Sequence, residues 1–286
     1  MAKGVYFSTG SAINDLTKKN TYGSTSFEPA GGITYSDADL LQVDPAATFD
    51  VISYEFNITL ASSATGVNIA YQFGSEEYPN YIGSKYNDAF GFYISGPGIL
   101  GKANLAKLSN GKGTSINTIN PGIRGENAST DPSPLYDGSQ SANYINNGHG
   151  TQTFVSGGIT YYNQNPEPQP GPFPVYVELN GITNLINYSI KNLTPGGTYT
   201  FKIILADSSD GQLDSGVFVR DVSAFTEVFA VDDYFTLSAQ NTTTPSIFLN
   251  DDIYMALRLR QQQQLFQVQI FPQVLLYIWM VQFQYL

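Results

Sequence analysis

Oxygen-bearing side chains gather in two short windows of this chain. Glu76 and Glu77 precede Asn87 and Asp88 in GSEEYPNYIGSKYND, and Asp207, Asp210 and Asp214 follow in ADSSDGQLD. Carboxylates and amides carried on loops, with nearby backbone carbonyls, are the ligands of calcium, a hard cation that takes about 6–8 oxygens. The spacing Asp207-x-x-Asp210-Gly211-x-x-Asp214 departs from the EF-hand pattern, so no EF-hand is expected. Two readings stand. If the windows meet in space, like charges repel and a cation relieves them. If they do not, Asp and Asn cap their own turns by bonding local backbone. Asp37, Asp39 and Asp44 form a third and sparser candidate, which also reads as a solvated loop.

Other chemistries are less well supplied. Glycoside hydrolysis needs two opposed carboxylates, and Glu77 with Asp88 or Asp214 are the pairs available for it, although nothing in their spacing demands the role. His149 is the only histidine, in NNGHG, and reads as part of a surface loop; there is no cysteine. Ser-His and Cys-His catalysis and sites built from several histidines or thiolates therefore lack their parts. Sugar recognition pairs aromatic rings with Asp and Asn, and Tyr78, Tyr81, Tyr86, Tyr161 and Tyr162 lie in or near loops. Ordinary strand packing accounts for the same tyrosines.

These windows must be positioned by strands. Val67, Ile69, Tyr71 and Phe73 alternate with polar or small residues, the period-2 pattern of a half-buried strand, which runs directly into Glu76 and Glu77. Residues 89–94 read as the next strand, with Asn87 and Asp88 at its mouth. Residues 50–60 give the clearest alternation, with Ile52, Tyr54, Phe56, Ile58 and Leu60 on one face; the turn at 61–66 predicts an antiparallel hairpin with the 67–73 strand. Further strands are predicted at 4–8, 151–155, 158–162, 175–179, 198–206 and 216–225. The last two predict a hairpin whose tip gathers Asp207, Asp210 and Asp214. Residues 117–150 are a polar insert, and 163–174 place proline at every second position, an extended surface loop. Many short strands separated by Gly, Asn and Pro turns predict an all-β fold, an antiparallel β-sandwich of jelly-roll type with long loop insertions.

The chain has 286 residues, 42% of them hydrophobic and 14% aromatic, enough to bury a sizeable core. Its net charge of −11 repels polyanions, so nucleic acid is excluded as a partner, while divalent cations are attracted. The start MAKG shows no secretory leader.

Three motifs in order carry a family resemblance: VYFSTG with DADL near the start, then GSEEYP followed by YNDAFGFYISGPG, then LADSSDGQLDSGVFV. Together they resemble the choice-of-anchor L domain of bacterial surface proteins. The resemblance implies an exported, β-rich, non-enzymatic module at the cell surface or secreted, with a leader upstream of this chain. An extracellular protein or a glycan is the expected partner, and no membrane span is expected in the folded domain. The chain divides into the choice-of-anchor L-like sandwich (1–228), a segment resembling the start of a bacterial Ig-like or cadherin-like repeat (229–252), and an atypical tail (253–286). The expected function is adhesion or extracellular assembly, with calcium stabilising the loops through Glu76, Glu77, Asn87, Asp88, Asp207, Asp210 and Asp214. A lectin-like carbohydrate-binding module is the alternative, and a glycoside hydrolase a distant one.

The tail holds the single Trp279 and the run Gln261–Gln264, and Pro272 with repeated Gln interrupts an apolar stretch too short to span a bilayer, which needs about 20 residues. A Thr-rich repeat read out of frame yields such glutamine runs. The expected outcome is that the coding DNA, translated in its other frames, continues the Ig-like repeat past residue 252; absence of that continuation in any frame refutes the frameshift origin.

Overall fold

The computed structural model describes residues 4–17, 20, 34–163 and 177–227. Two antiparallel sheets pack face to face as a β-sandwich. The first contains β1 (Val5–Ser8), β3 (Gly66–Ser75), β7 (Tyr144–Asn146), β10 (Gly181–Thr183), β11 (Ile186–Ile190) and β13 (Ser215–Phe225), in the order β1-β13-β3-β10-β7 with β11 also on β3. The second contains β2 (Ala47–Thr59), β4 (Ala89–Ser95), β5 (Ala103–Asn104), β6 (Thr114–Ser115) and β12 (Thr198–Ser208), in the order β2-β12-β4-β5 with β6 on β4. A separate ribbon pairs β8 (Thr153–Ser156) with β9 (Ile159–Tyr162).

The alternation of apolar and polar residues explains the two faces. Tyr71 and Phe73 from the first sheet, and Phe90, Phe92, Phe201 and Leu205 from the second, point into a continuous dry core. Phe201 stacks on Phe56 at 5.4 Å and meets Phe92 edge-on at 6.1 Å. Aromatic side chains each bury about 150–250 Å², so this cluster dominates the apolar burial. The next residue, Lys202, points to the opposite face of β12. There a short 3-10 helix (Leu40–Gln42) lies over the sheet and buries Leu40, Val51, Tyr93 and Ile204 in a second apolar cluster.

Where the strands pair differs from the sequence-based expectation. Residues 50–60 and 67–73 are strands, but they do not form a hairpin: β2 pairs with β12, and β3 with β13, in different sheets. The turn between them crosses the sandwich. The same holds for β12 and β13, so residues 209–214 bridge the sheets instead of tipping a hairpin. The physical reason is that both strands of each pair need an apolar inner face, which opposite layers supply as well as one layer does. No strand forms at 177–179; the pairing with β3 is made instead by β10 and β11. The proline-rich 164–176 and everything from 228 onward, including the Ig-like start and the tail, lie outside the described residues. Among the described residues no helix is long and apolar enough to cross a membrane.

Phe201 is fully buried and contacts both Phe56 of β2 and Phe92 of β4. Phe201→Ala is expected to cost about 3–5 kcal/mol through lost burial and the cavity left behind. Chemical denaturation reads this as a lower midpoint with an unchanged slope.

Candidate functional site

Register places many strand ends together. Ser8 of β1 faces Gly216, Ser75 of β3 faces Ser215 and Gly181, Ala47 of β2 faces Ser208, and Ala89 of β4 faces Ala206. All of these lie at one end of the sandwich. The segments that leave them, 76–88 and 209–214 above all, cross between the sheets there and carry both acidic windows.

The carboxylates at this end are buried. Glu76, Glu77, Asp88, Asp207 and Asp214 are each at most 3% exposed, whereas Asp210 is half-buried at the surface. Asp88 is the best supported: it accepts hydrogen bonds from Ser215 Oγ at 2.6 Å, Ser75 Oγ at 3.2 Å and the Ser208 backbone N–H at 3.0 Å. Desolvation outweighs these donors and pushes its carboxyl up to about 7. Glu77 and Asp207 are raised well above the ordinary carboxylate range, first by burial and then by the Asp88 charge. Asp210 adds to the load on both Glu77 and Asp88.

Asp207 is the least satisfied of these groups. Neither of its carboxylate oxygens has a hydrogen-bond partner, and Glu77 Oε2 has none either. The Thr9 hydroxyl lies beside Asp207 and favours its ionised form, but that hydroxyl donates to the Ser215 carbonyl at 3.3 Å. Among the described residues, the ion pairs of lysine and arginine do not include Glu77, Asp88 or Asp207. Buried carboxylate oxygens without partners are costly, and they fit a hard cation whose ligands are oxygens. No three Asp, Glu or His side chains among the described residues already meet as a cation cage. Glu77, Asp207 and Asp210 would have to rotate toward a shared ion, with loop carbonyls and water completing its shell.

The backbone around these groups is irregular. Register shifts interrupt the β2–β12 ladder on both sides of Asp207, and bulges of this kind re-aim side chains. Asp50, Ser209 and Leu213 hold positive φ angles of 46°, 77° and 64°. Two glycines make room for carboxylates: a Cβ on Gly211 would come within 2.2 Å of Asp50 Oδ2, and one on Gly10 within 1.8 Å of Asp214 Oδ2.

Not every predicted ligand is available. The Asn87 amide donates to Asp44 Oδ2 at 2.5 Å and its oxygen accepts the Asn117 N–H at 2.7 Å, so this side chain is committed to holding loops. Glu76 and Asp214, with Asp15, add their charges to the burial that raises Tyr6, and they also act on Glu77 and Asp207 respectively. The third candidate dissolves. Asp37 and Asp39 receive Lys202 Nζ at 2.5 and 2.7 Å, Lys102 also pairs with Asp39 at 2.6 Å, and Asp44 accepts Ser208 Oγ at 2.8 Å. Their charges clamp the 3-10 helix to β12 instead of awaiting an ion.

His149 is not a surface residue: it is fully buried, its Nδ1–H donates to the Gly150 carbonyl at 2.7 Å, and Nε2 accepts from the Tyr144 hydroxyl. Burial lowers its pKa to about 4, which leaves it a neutral core group. Tyr78, Tyr161 and Tyr162 are buried as well, and only Tyr81 and Tyr86 of the predicted sugar-facing rings reach the surface. Glu77 and Asp88 have no room to flank a glycosidic bond, since both are within 2% of full burial.

Sequence reasoning missed Asp15, Asp50 and Glu178. Asp15 accepts from Tyr6 Oη at 3.0 Å and Ser8 Oγ at 2.6 Å, and burial raises its pKa. The interruption of an alternating strand by Asp50 was a usable signal; Glu178 carried none.

With this geometry in hand, the choice-of-anchor L domain model matches residues 1–225. No curated protein and no solved structure matches the chain.

The buried carboxyls contribute to the pH dependence of the ion-free protein. Asp88 holds its proton up to about 7 when folded against an ordinary 3.8, so the folded state binds more protons between these values. The Asp88 contribution to stability therefore falls as pH rises through that window. Buried His149, lowered to about 4 from an ordinary 6.5, works in the opposite direction below pH 6.5, so the test is a comparison: in chelator, the change in Tm from pH 5 to pH 7.5 is expected to be more negative in the wild-type protein than in Asp88→Asn, and equal changes contradict the assignment. Asp207→Asn removes one repelling charge and is expected to add on the order of 1 kcal/mol at pH 7.5 in chelator.

Proposed function

The chain belongs to the choice-of-anchor L domain family, and on that premise we propose that it is a non-enzymatic module of a bacterial cell-surface or secreted protein, acting in adhesion or extracellular assembly, whose inter-sheet loops bind calcium. One observation carries the ion: Asp207 is buried beside Asp88 and Glu77 with both carboxylate oxygens unpartnered. Glu77, Asp207 and Asp210 are the ligands, and Asp88, fixed by three donors, completes the negative field. The donor set is entirely oxygen, which suits calcium or magnesium and not zinc. Calcium is favoured over magnesium because irregular loops adapt to its larger, variable shell, whereas magnesium demands near-ideal octahedral geometry.

The ion would join the segment following β3 to the segment following β12, and so tie one sheet to the other. Its binding free energy then adds directly to folding stability. A module exposed outside the cell, without a cysteine to form a disulfide, gains a cross-link in this way. Glu76 and Asp214 strengthen the field without direct contact.

Melting in saturating calcium against chelator at pH 7.5 tests the reading. At a calcium concentration about 100 times Kd the stabilisation is about 2.7 kcal/mol, a Tm rise of about 5–10 °C for a domain of this size. Asp207→Asn is expected to abolish most of that rise. An unchanged Tm in the wild-type protein overturns calcium binding.

A further inference from the structure

Tyr81 and Tyr86 stand at the mouth of the acidic group. The segment following β3 turns back on itself through the Tyr81 N–H to Glu77 carbonyl bond at 3.1 Å, which places the Tyr81 ring beside Glu77 and Asp210. Tyr86 meets it edge-on with ring centroids 5.0 Å apart, and the Lys85 ammonium lies 5.1 Å over the Tyr86 ring. Ser209 Oγ donates to the Lys85 carbonyl at 3.1 Å and joins this corner to the loop that bears Asp210. Tyr81, Tyr86, Ser209 and Asp210 are all partly exposed, whereas Glu77 and Asp207 beneath them are buried. An ion held from below by Glu77 Oε2 and the two unpartnered oxygens of Asp207 would therefore present its remaining coordination positions on the side of Asp210 and the two rings.

We infer that this open side binds a neutral glycan, through a vicinal diol that coordinates the calcium ion and a sugar face that lies against Tyr81 and Tyr86. The inference rests on the calcium reading above. Two adjacent hydroxyl oxygens replace two waters of a calcium shell without changing its charge. The apolar C–H face of a pyranose suits an aromatic ring whose edge is fixed by its neighbour. An uncharged sugar is favoured because the surrounding carboxylates repel acidic ones. Lys85, Ser209 and Asp210 supply the polar rim that orients hydroxyl groups.

Retention of the full chain on immobilised mannan, galactan and dextran, in calcium and in chelator, is the test, run beside the calcium melts. The expected result is calcium-dependent retention on at least one of these polysaccharides, reduced at least tenfold in Tyr81→Ala and in Tyr86→Ala, while both variants keep the calcium-induced Tm rise that shows the ion site intact. A calcium-induced Tm rise without retention on any of them overturns the glycan inference and leaves the ion reading standing. No Tm rise in the wild-type protein removes both. Retention that is equal in chelator, or unchanged in both tyrosine variants, also overturns the inference.

Discussion

Repulsion among buried carboxylates at one end of the sandwich is the constraint around which the rest is arranged. Glu77, Asp88 and Asp207 are almost wholly withdrawn from water, and burial raises the pKa of each. Withdrawing charge from water is unfavourable unless protons, donors or a counter-ion compensate. Donors compensate Asp88 most fully, through serine and backbone partners from β3, β12 and β13. The opposed demands of packing and charge coincide with the register shifts beside Asp207 and the positive φ angles of Asp50, Ser209 and Leu213. Strain of this kind persists where surrounding structure holds it, and it clusters at functional sites.

The same protein meets the same difficulty by another route on the outer face of the second sheet. Asp37 and Asp39 are also withdrawn from solvent, but Lys202 and Lys102 reach them directly. The segment they anchor covers an apolar cluster around Leu40 and Ile204, so the ion pairs act as a clasp over a small core. The contrast between the two places matters. Where lysine is present the acids hold structure together; at the other end, among the described residues, no lysine or arginine ion pair reaches Glu77, Asp88 or Asp207.

Crossovers between sheets give that end its character. A hairpin keeps neighbouring carboxylates on one sheet edge, where they fan outward into water. A segment that crosses from one layer to the other closes over the end of the core, and its side chains turn inward. The segments after β3 and β12 both do this, which is why the carboxylates they carry are buried while Tyr81, Tyr86 and Asp210 remain at the rim. Between the layers, Tyr71 of β3 meets Phe90 of β4 with ring centroids 5.0 Å apart, so aromatic packing joins the two sheets.

Period-2 alternation was enough to locate most strands and to assign the all-β class, because inward and outward faces must differ in polarity along each strand. The acidic windows, and their position at strand ends, were equally plain from the residues. Partnership was not. Whether residues 50–60 pair with 67–73 or with 198–206 depends on which layer each joins, and both choices bury the same face of the strand. Burial of His149, the engagement of Asn87 by Asp44 and Asn117, and the capture of Asp37 by Lys202 across 165 residues of sequence are likewise products of long-range packing. Local pattern determined what each segment is; only the assembled layers decided which charges meet, which are answered by a lysine and which are left facing one another.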